Sequence, residues 1–358
     1  SEYPARFLAI EIKATSGDHL ALSSGATSLD LGSSNPPLLL LHATVHHIAT
    51  DHWSGDLLAQ DLAALHQMIS EDKQLPSLPS LPPLSLQYAD FSVWQREMAI
   101  GSNVIEKDLA YWGLQLADAP VLDLPTDRPR PKTRTDKGAS AALFLDPALT
   151  SQLSAFASSH GATPFMVGLA VWQLVLCRWS RQSDVIVGTV TAGREHEETH
   201  NMLGYFQNTL ALRTEFEAGK DSFVDLLMNV RHTALEAYDH AIAPFYRVVE
   251  CTLKESARDM SRGPLYDVSL VLETRNAGFG REGGLDAGLD AGLNWGTDVQ
   301  LHASGGMPGA IDDMTMYLFE SAVGDGGERA LRRRRRDFSP RRIRPWFPGS
   351  GGKAAARS

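Results

Sequence analysis

The chain has 358 residues, 43% of them hydrophobic and 21% charged, enough apolar material to bury one large core or two lobes. Its net charge of −10 hides eleven Lys or Arg against Glu328 and Asp337 in residues 328–358, so the remaining body is strongly acidic and reads as no nucleic-acid-binding core, which needs a basic face. No run of 18 uncharged apolar residues marks a membrane span, no basic region with an apolar signal core opens the chain, and Cys177 and Cys251 form no CxxC pair, so the expectation is a cytoplasmic protein with two buried, reduced thiols.

Taken in order, FLAIEI alternates as a strand should, and PLLLLHATVHH is a second apolar run bounded by Pro37 and polar TDH. SGATSLDLGSSN between them is rich in Ser and Gly and reads as a loop. From Asp56, an amphipathic helix places Leu57, Leu58, Leu62, Leu65, Met68 and Ile69 at helical spacing. Residues 75–85 are too proline-dense for a helix, whereas YADFSVWQREM and EKDLAYWGLQL both read as helices. Residues 122–138, with three prolines and many charges, are the expected inter-lobe linker.

Beyond the linker, Asp146 caps a helix with Pro147 at its first position and Gly161 at its end. PFMVGLAVWQLVLCRW is apolar on nearly all sides and should be buried. SDVIVGTVTAGRE and FQNTLALRTEF follow as strands, SFVDLLMNVRHTALEAY as a helix and LYDVSLVLE as a strand. GLDAGLDAGLNW, residues 284–295, is a short repeat with the character of a surface insertion. From about Gly324 the apolar periodicity ends, and an arginine-rich solvated tail is expected.

The densest chemical cluster is VHHIATDHWS, residues 45–54. A strand delivering His46 and His47 to a turn puts one imidazole on each side, so that one faces a cavity while the other packs inward. Asp51 then lies across the turn, able to accept backbone hydrogen bonds or to pair with an arginine. An imidazole held this way suits general-base work near pH 7. Two plainer readings compete: a satisfied core histidine, and a metal site built from His42, His46, His47, Asp51 and His52. The second is broken by Ala49, which stands where a zinc-binding HxHxDH pattern needs histidine, so no metal is assigned.

HHxxxD followed by WS resembles the active-site motif of nonribosomal peptide synthetase condensation domains, members of the chloramphenicol acetyltransferase-like superfamily. Four further segments are similar to that family and stand in its order: Tyr88-Ala-Asp-Phe-Ser-Val-Trp94, LAYWGLQLADAPVLDLPTDRPRP, Leu203-Gly-Tyr-Phe-Gln-Asn-Thr-Leu210 with Arg213, and Arg258-Asp-Met-Ser-Arg-Gly-Pro-Leu265. The resemblance implies an α/β fold of two acetyltransferase-like lobes in a V arrangement around a tunnel, the first lobe incomplete. Its divisions are a partial N-terminal lobe at 1–121, the linker at 122–138, a C-terminal lobe at 139–323 and a disordered basic tail at 324–358.

By the same resemblance, His47 is the reaction-centre residue, His46 its motif neighbour and Asp51 the structural aspartate, paired with Arg194. His52, Trp53, Ser54 and Asn208 belong to the motif context, and Trp94 and Arg262 to the scaffold. The implied reaction is amide formation between thioesters delivered by donor and acceptor peptidyl carrier domains, whose phosphopantetheine arms hold the substrates. No cofactor of its own is implied, and adenylation domains of the same assembly line are the implied upstream partners. A catalytically silent docking module or a truncated gene fragment is the alternative.

The histidines argue against the heterocyclising subtype, Trp53 before Ser54 against the epimerising one, and the lack of DFGWG against plant alcohol acyltransferases. Three departures stand out. His52 replaces a glycine, HQDxPFE reads His240-Ala-Ile-Ala-Pro244-Phe245-Tyr246, and 45 residues precede His46 without the opening SxAQ and RHExLR segments, hence the expectation of an N-terminally truncated lobe.

Overall fold

The computed structural model describes residues 5–12, 19–21, 28–30, 38–71, 81, 83–100, 102–132, 138–217, 219–253, 259, 261–274, 312–320 and 329–336. Strand β1 (Ala5–Ile12) pairs antiparallel with β4 (Leu38–Val45), in register from Ala5↔Val45 to Ile12↔Leu38. Between them β2 (His19–Ala21) and β3 (Ser28–Asp30) form a second small ladder. The Ser- and Gly-rich stretch expected as a loop therefore contributes a strand, because backbone pairing with a neighbour needs no apolar pattern.

After a 3-10 turn at His47–Ala49 come helices α1 (His52–Glu71), α2 (Tyr88–Ala99) and α3 (Asn103–Gln115). The starts of α2 and α3 have local causes. Ser102 Oγ accepts from Ile105 N at 3.3 Å to cap α3, and Asp90 at the third position of α2 reaches back to the Gln87 N–H at 2.8 Å. Residues 122–131 carry neither helix nor strand but are tied down: Asp123 N donates to Gln182 Oε1 at 2.7 Å, and Arg130 pairs with Asp313 and donates to the Ser261 carbonyl.

The described residues beyond α3 build one six-stranded mixed sheet. Its strands are β5 (Gly138–Leu145), β6 (Asp184–Thr191), β7 (Asn208–Glu215), β8 (Val268–Thr274), β9 (Met314–Glu320) and β10 (Arg329–Arg336), in the order β5-β10-β9-β8-β6-β7. The β6–β8 and β8–β9 pairs are parallel and the others antiparallel. Helices α4 (Pro147–Ser159), α5 (Pro164–Ser180), α6 (Phe223–Asp239) and α7 (Phe245–Thr252) complete the layer, with α5 and α6 packed together and against β6, β7 and β8.

Asp146 caps α4 with Pro147 at its first position, as its sequence requires. A capping box between Ser222 and Asp225 starts α6. α5 is the apolar centre, with Leu169, Ala170 and Leu176 at 0% exposure in one core with Val187, Leu212, Leu227, Val230 and Leu270. Burial on this scale, at roughly 25 cal/mol per Å² of apolar surface, is what holds the layer to the sheet. Ile105, Leu109 and Trp112 of α3 join the same core, so it extends across position 121.

Two expectations are corrected here. A solvated basic tail is expected from 324, yet Arg329–Arg336 forms β10, pairing with β5 on one side and β9 on the other. Main-chain hydrogen bonds are indifferent to side-chain type, so a gap between two strands accepts a segment with no hydrophobic pattern. Residues 324–328 and 337–358, the repeat at 284–295 and most of the connector at 75–85 lie outside the described residues. Both cysteines are free, but only Cys177 is buried; Cys251 is exposed, one turn beyond Val248, the buried residue of α7. Among the described residues no single helix is long and apolar enough to cross a membrane.

Candidate active site

Antiparallel pairing with β1 ends at Val45, and the chain turns at once into the 3-10 helix. His46 caps that turn, its Nδ1 accepting from Ile48 N at 3.0 Å. His47 follows with Nδ1 2.7 Å from the Thr50 carbonyl. A carbonyl oxygen only accepts, so Nδ1 carries a hydrogen, and in the neutral ring Nε2 keeps its lone pair. Both imidazoles are exposed. The expectation that one would pack inward fails because the two-residue alternation of a strand stops before either is reached.

Asp51 sits at the N-cap of α1. Its Oδ1 accepts from Ser54 N at 2.8 Å, and its Oδ2 from Phe206 N at 3.0 Å. Arg194 closes on the same carboxylate, with an Nη2 to Oδ1 distance of 3.2 Å and side-chain exposures of 1% and 3% for the pair. Two charges this deep are costly to desolvate unless their hydrogen-bonding capacity is filled. It nearly is. Arg194 Nη2 also donates to Ser54 Oγ at 2.8 Å, and Nη1 donates to the carbonyls of Thr199 and Met202; its Nε finds no acceptor among the described residues.

The guanidinium carbon lies 4.0 Å from the Phe206 ring centroid, a cation–π arrangement worth about 0.5–2 kcal/mol. Burial lowers the Arg194 pKa from its ordinary value, and the Asp51 carboxylate opposes that shift. The arginine expected to pair with Asp51 is thus the one brought to it, from 143 residues away.

Ser54 has no exposure and no spare capacity: its hydroxyl donates to the Gly204 carbonyl at 2.7 Å and accepts from Gly204 N at 3.0 Å and from Arg194. Its place in the motif is structural. Trp53 is half-buried, its indole N–H donating to the His200 carbonyl at 2.9 Å. His52 is exposed at the first residue of α1 and does not have positive φ, so the glycine it replaces is not needed there for backbone reasons. Asn208 lies elsewhere: its amide donates to the carbonyls of Ala241 and Ala243, both at 2.8 Å, and accepts from Phe245 N at 3.0 Å, bracing the α6–α7 turn against β7.

Sequence reasoning singled out neither Gly204 nor Tyr205 within their segment. A Cβ at Gly204 would sit 2.1 Å from the Tyr88 ring, so only glycine lets α2 close over this segment. Tyr205 places its ring edge-on to His47, centroids 5.4 Å apart and planes at 75°. Burial pushes the Tyr205 phenol up, with Asp51 adding to the shift, so it stays neutral at pH 7. The segment's motif pattern was the available signal; which of its residues meets His47 was not in it. Among the described residues no three His, Cys, Asp or Glu side chains are grouped to hold a metal ion. Asp51 is committed to Arg194 while His46 and His47 face outward.

The chain thus sets an exposed histidine, bonded through Nδ1, beside a buried Asp–Arg pair. The model of the condensation-domain family matches residues 34–282, more than half the chain. The chain belongs to the condensation-domain family. It is 41% identical over 226 residues to the malpibaldin synthetase of Mortierella alpina, covering 63% of this chain and 4% of that protein. It is 41% identical over 235 residues to the phosphinothricin tripeptide synthetase PhsC of Streptomyces viridochromogenes, covering 65% of this chain and 21% of the relative.

This condensation-domain chain therefore spans a small part of the curated relatives it matches. Among solved structures it is similar in fold to the X-domain from teicoplanin biosynthesis, with TM-score 0.70, 23% identity, 93% of this chain and 66% of that one. It is also similar to the first condensation domain of the CDA synthetase, with TM-score 0.60, 20% identity, 83% of this chain and 59% of that one. The mixed α/β fold is the fold of the solved condensation domains.

Proposed function

We propose that this condensation domain forms an amide bond between acyl groups carried as thioesters on donor and acceptor carrier domains. The acceptor amine nitrogen attacks the donor thioester carbonyl, the C–N bond forms and the C–S bond breaks. The amine proton passes to His47 Nε2 and from there to the departing phosphopantetheine thiolate. The observation that carries this reading is the His47 tautomer: with Nδ1–H spent on the Thr50 carbonyl, the exposed Nε2 is an acceptor ready for a proton or for holding the amine.

Asp51 and Arg194 act on geometry. Buried and mutually satisfied, they take no part in proton transfer and instead tie the start of α1 to the loop before β7. The family resemblance supports two acetyltransferase-like lobes in a V, carrier domains approaching from opposite faces, and adenylation domains supplying the loaded carriers in the cytoplasm. The thioester brings its own activation, so the reaction calls for no cofactor beyond the carriers' arms.

The test loads donor and acceptor carrier domains with amino acids, mixes them with this chain and looks for the dipeptidyl thioester by mass spectrometry. The wild-type chain yields it, and His47→Ala lowers the rate by about 10²–10⁴-fold, the usual worth of a positioned acid–base group. Equal product from both proteins, or product from neither, defeats the reading.

A further inference from the structure

We infer that Tyr205 is a positioning residue for His47, and that the buried Asp51–Arg194–Ser54 network reaches the reaction centre through it. The inference rests on the proposed role of His47 and adds the means by which that ring is aimed. A single hydrogen bond from Nδ1 to the Thr50 carbonyl restrains the imidazole at one edge only; a flip about χ2, whose wells are broad and two-fold, breaks that bond and removes what holds the proton on Nδ1, so that it exchanges through solvent to Nε2. The Tyr205 ring, edge-on at 5.4 Å, supplies the second restraint. A contact of this geometry is expected to bias the ring between its two orientations by several-fold.

Tyr205 is in turn held by its backbone. Its carbonyl accepts from the Tyr88 hydroxyl at 2.7 Å. On one side, both main-chain groups of Gly204 are bonded to Ser54 Oγ; on the other, Phe206 N is bonded to Asp51 Oδ2, with Arg194 packed over the Phe206 ring. Three consecutive residues, 204 to 206, are therefore clamped to the α1 start and to α2. Those contacts come from the same carboxylate and hydroxyl that begin α1, immediately after the turn carrying His47. Displacing residues 204–206 moves Tyr205 away from the imidazole without touching it directly.

Tyr205 is 40% exposed, so removing its ring leaves the core intact. The experiment compares wild type, Tyr205→Ala and Tyr205→Phe in the loaded-carrier assay and, separately, by ¹⁵N-resolved NMR of the His47 imidazole in the full chain. Tyr205→Ala is expected to lower kcat about tenfold with KM within about twofold, because a misaimed base loses transition-state contact more than binding. Its His47 signals move from a single Nδ1–H tautomer to a mixture. Tyr205→Phe, which keeps the ring, restores both. A His47 tautomer unchanged in Tyr205→Ala overturns the inference whatever the assay gives, and so does a Phe variant as impaired as Ala. If wild type makes no product, the proposed function falls while the tautomer ratio still decides on Tyr205.

Discussion

Arg194 is the most heavily bonded of the site's described side chains. Its guanidinium meets a carboxylate, a hydroxyl, two carbonyls and two aromatic rings, all under cover. Replacing it by Ala strands Asp51 as a buried, unpaired anion, and breaking such a pair costs about 3–5 kcal/mol. Arg194→Ala is therefore expected to lower the urea midpoint strongly and to release residues 204–206; a variant with unchanged midpoint and turnover refutes the assignment. His47→Ala, removing an exposed ring, leaves stability within about 0.5 kcal/mol of wild type in the same urea titration. The contrast is the residue-level signature expected of the proposed site: an exposed histidine that stability does not need and a buried ion pair that it does. The HHxxxD spacing points to both His47 and Asp51, and the TAGRE segment to Arg194. Tyr205 is not legible there, because a ring contact between residues far apart in the chain leaves no periodicity in either segment.

Among the elements, helix starts have local causes, of which the sequence reading used one, the Asp146–Pro147 cap. Asp146–Pro147, Thr163–Pro164 and Ser222 with Asp225 each place a cap within three residues of the turn it satisfies. The α6 box also has a pH consequence. Hydrogen bonds from the Ser222 hydroxyl and backbone N–H hold the Asp225 carboxyl below its ordinary range. A depressed carboxyl stabilises the fold above its unfolded pKa, and that contribution is lost as pH falls through the lower folded value. Asp225→Asn should thus lower the melting temperature at pH 7 and make it less sensitive to acid below about pH 4; a melt whose acid limb matches wild type argues against the box as a contributor. Strands were less readable. β3 fell in a segment with loop composition and β10 in an arginine run, since both are stabilised by backbone pairing that side-chain pattern does not record.

At the scale of the whole molecule, β10 is the element on which sheet continuity turns. It is the sole bridge from β5 to β9 among the described strands, running antiparallel to both. Deleting residues 329–358 leaves Gly138–Leu145 without a strand partner among those described, so its amides should exchange at least about tenfold faster in hydrogen–deuterium measurements. Unchanged protection there would mean that β5 is held some other way. The same global view explains why the core crosses position 121: α3 follows the first segment in the chain but packs Ile105 and Trp112 into the sheet layer behind it.

By itself, the amino-acid order determined the Asp146–Pro147 cap, the burial of α5 and the family, because each is written in neighbours a few positions apart. Only the tertiary structure decided that both histidines face outward, that Ser54 is spent on Gly204, and that Tyr205 stands against His47. Those facts depend on which distant backbone groups arrive to satisfy one carboxylate and one hydroxyl, and long-range hydrogen bonding carries no mark in local sequence.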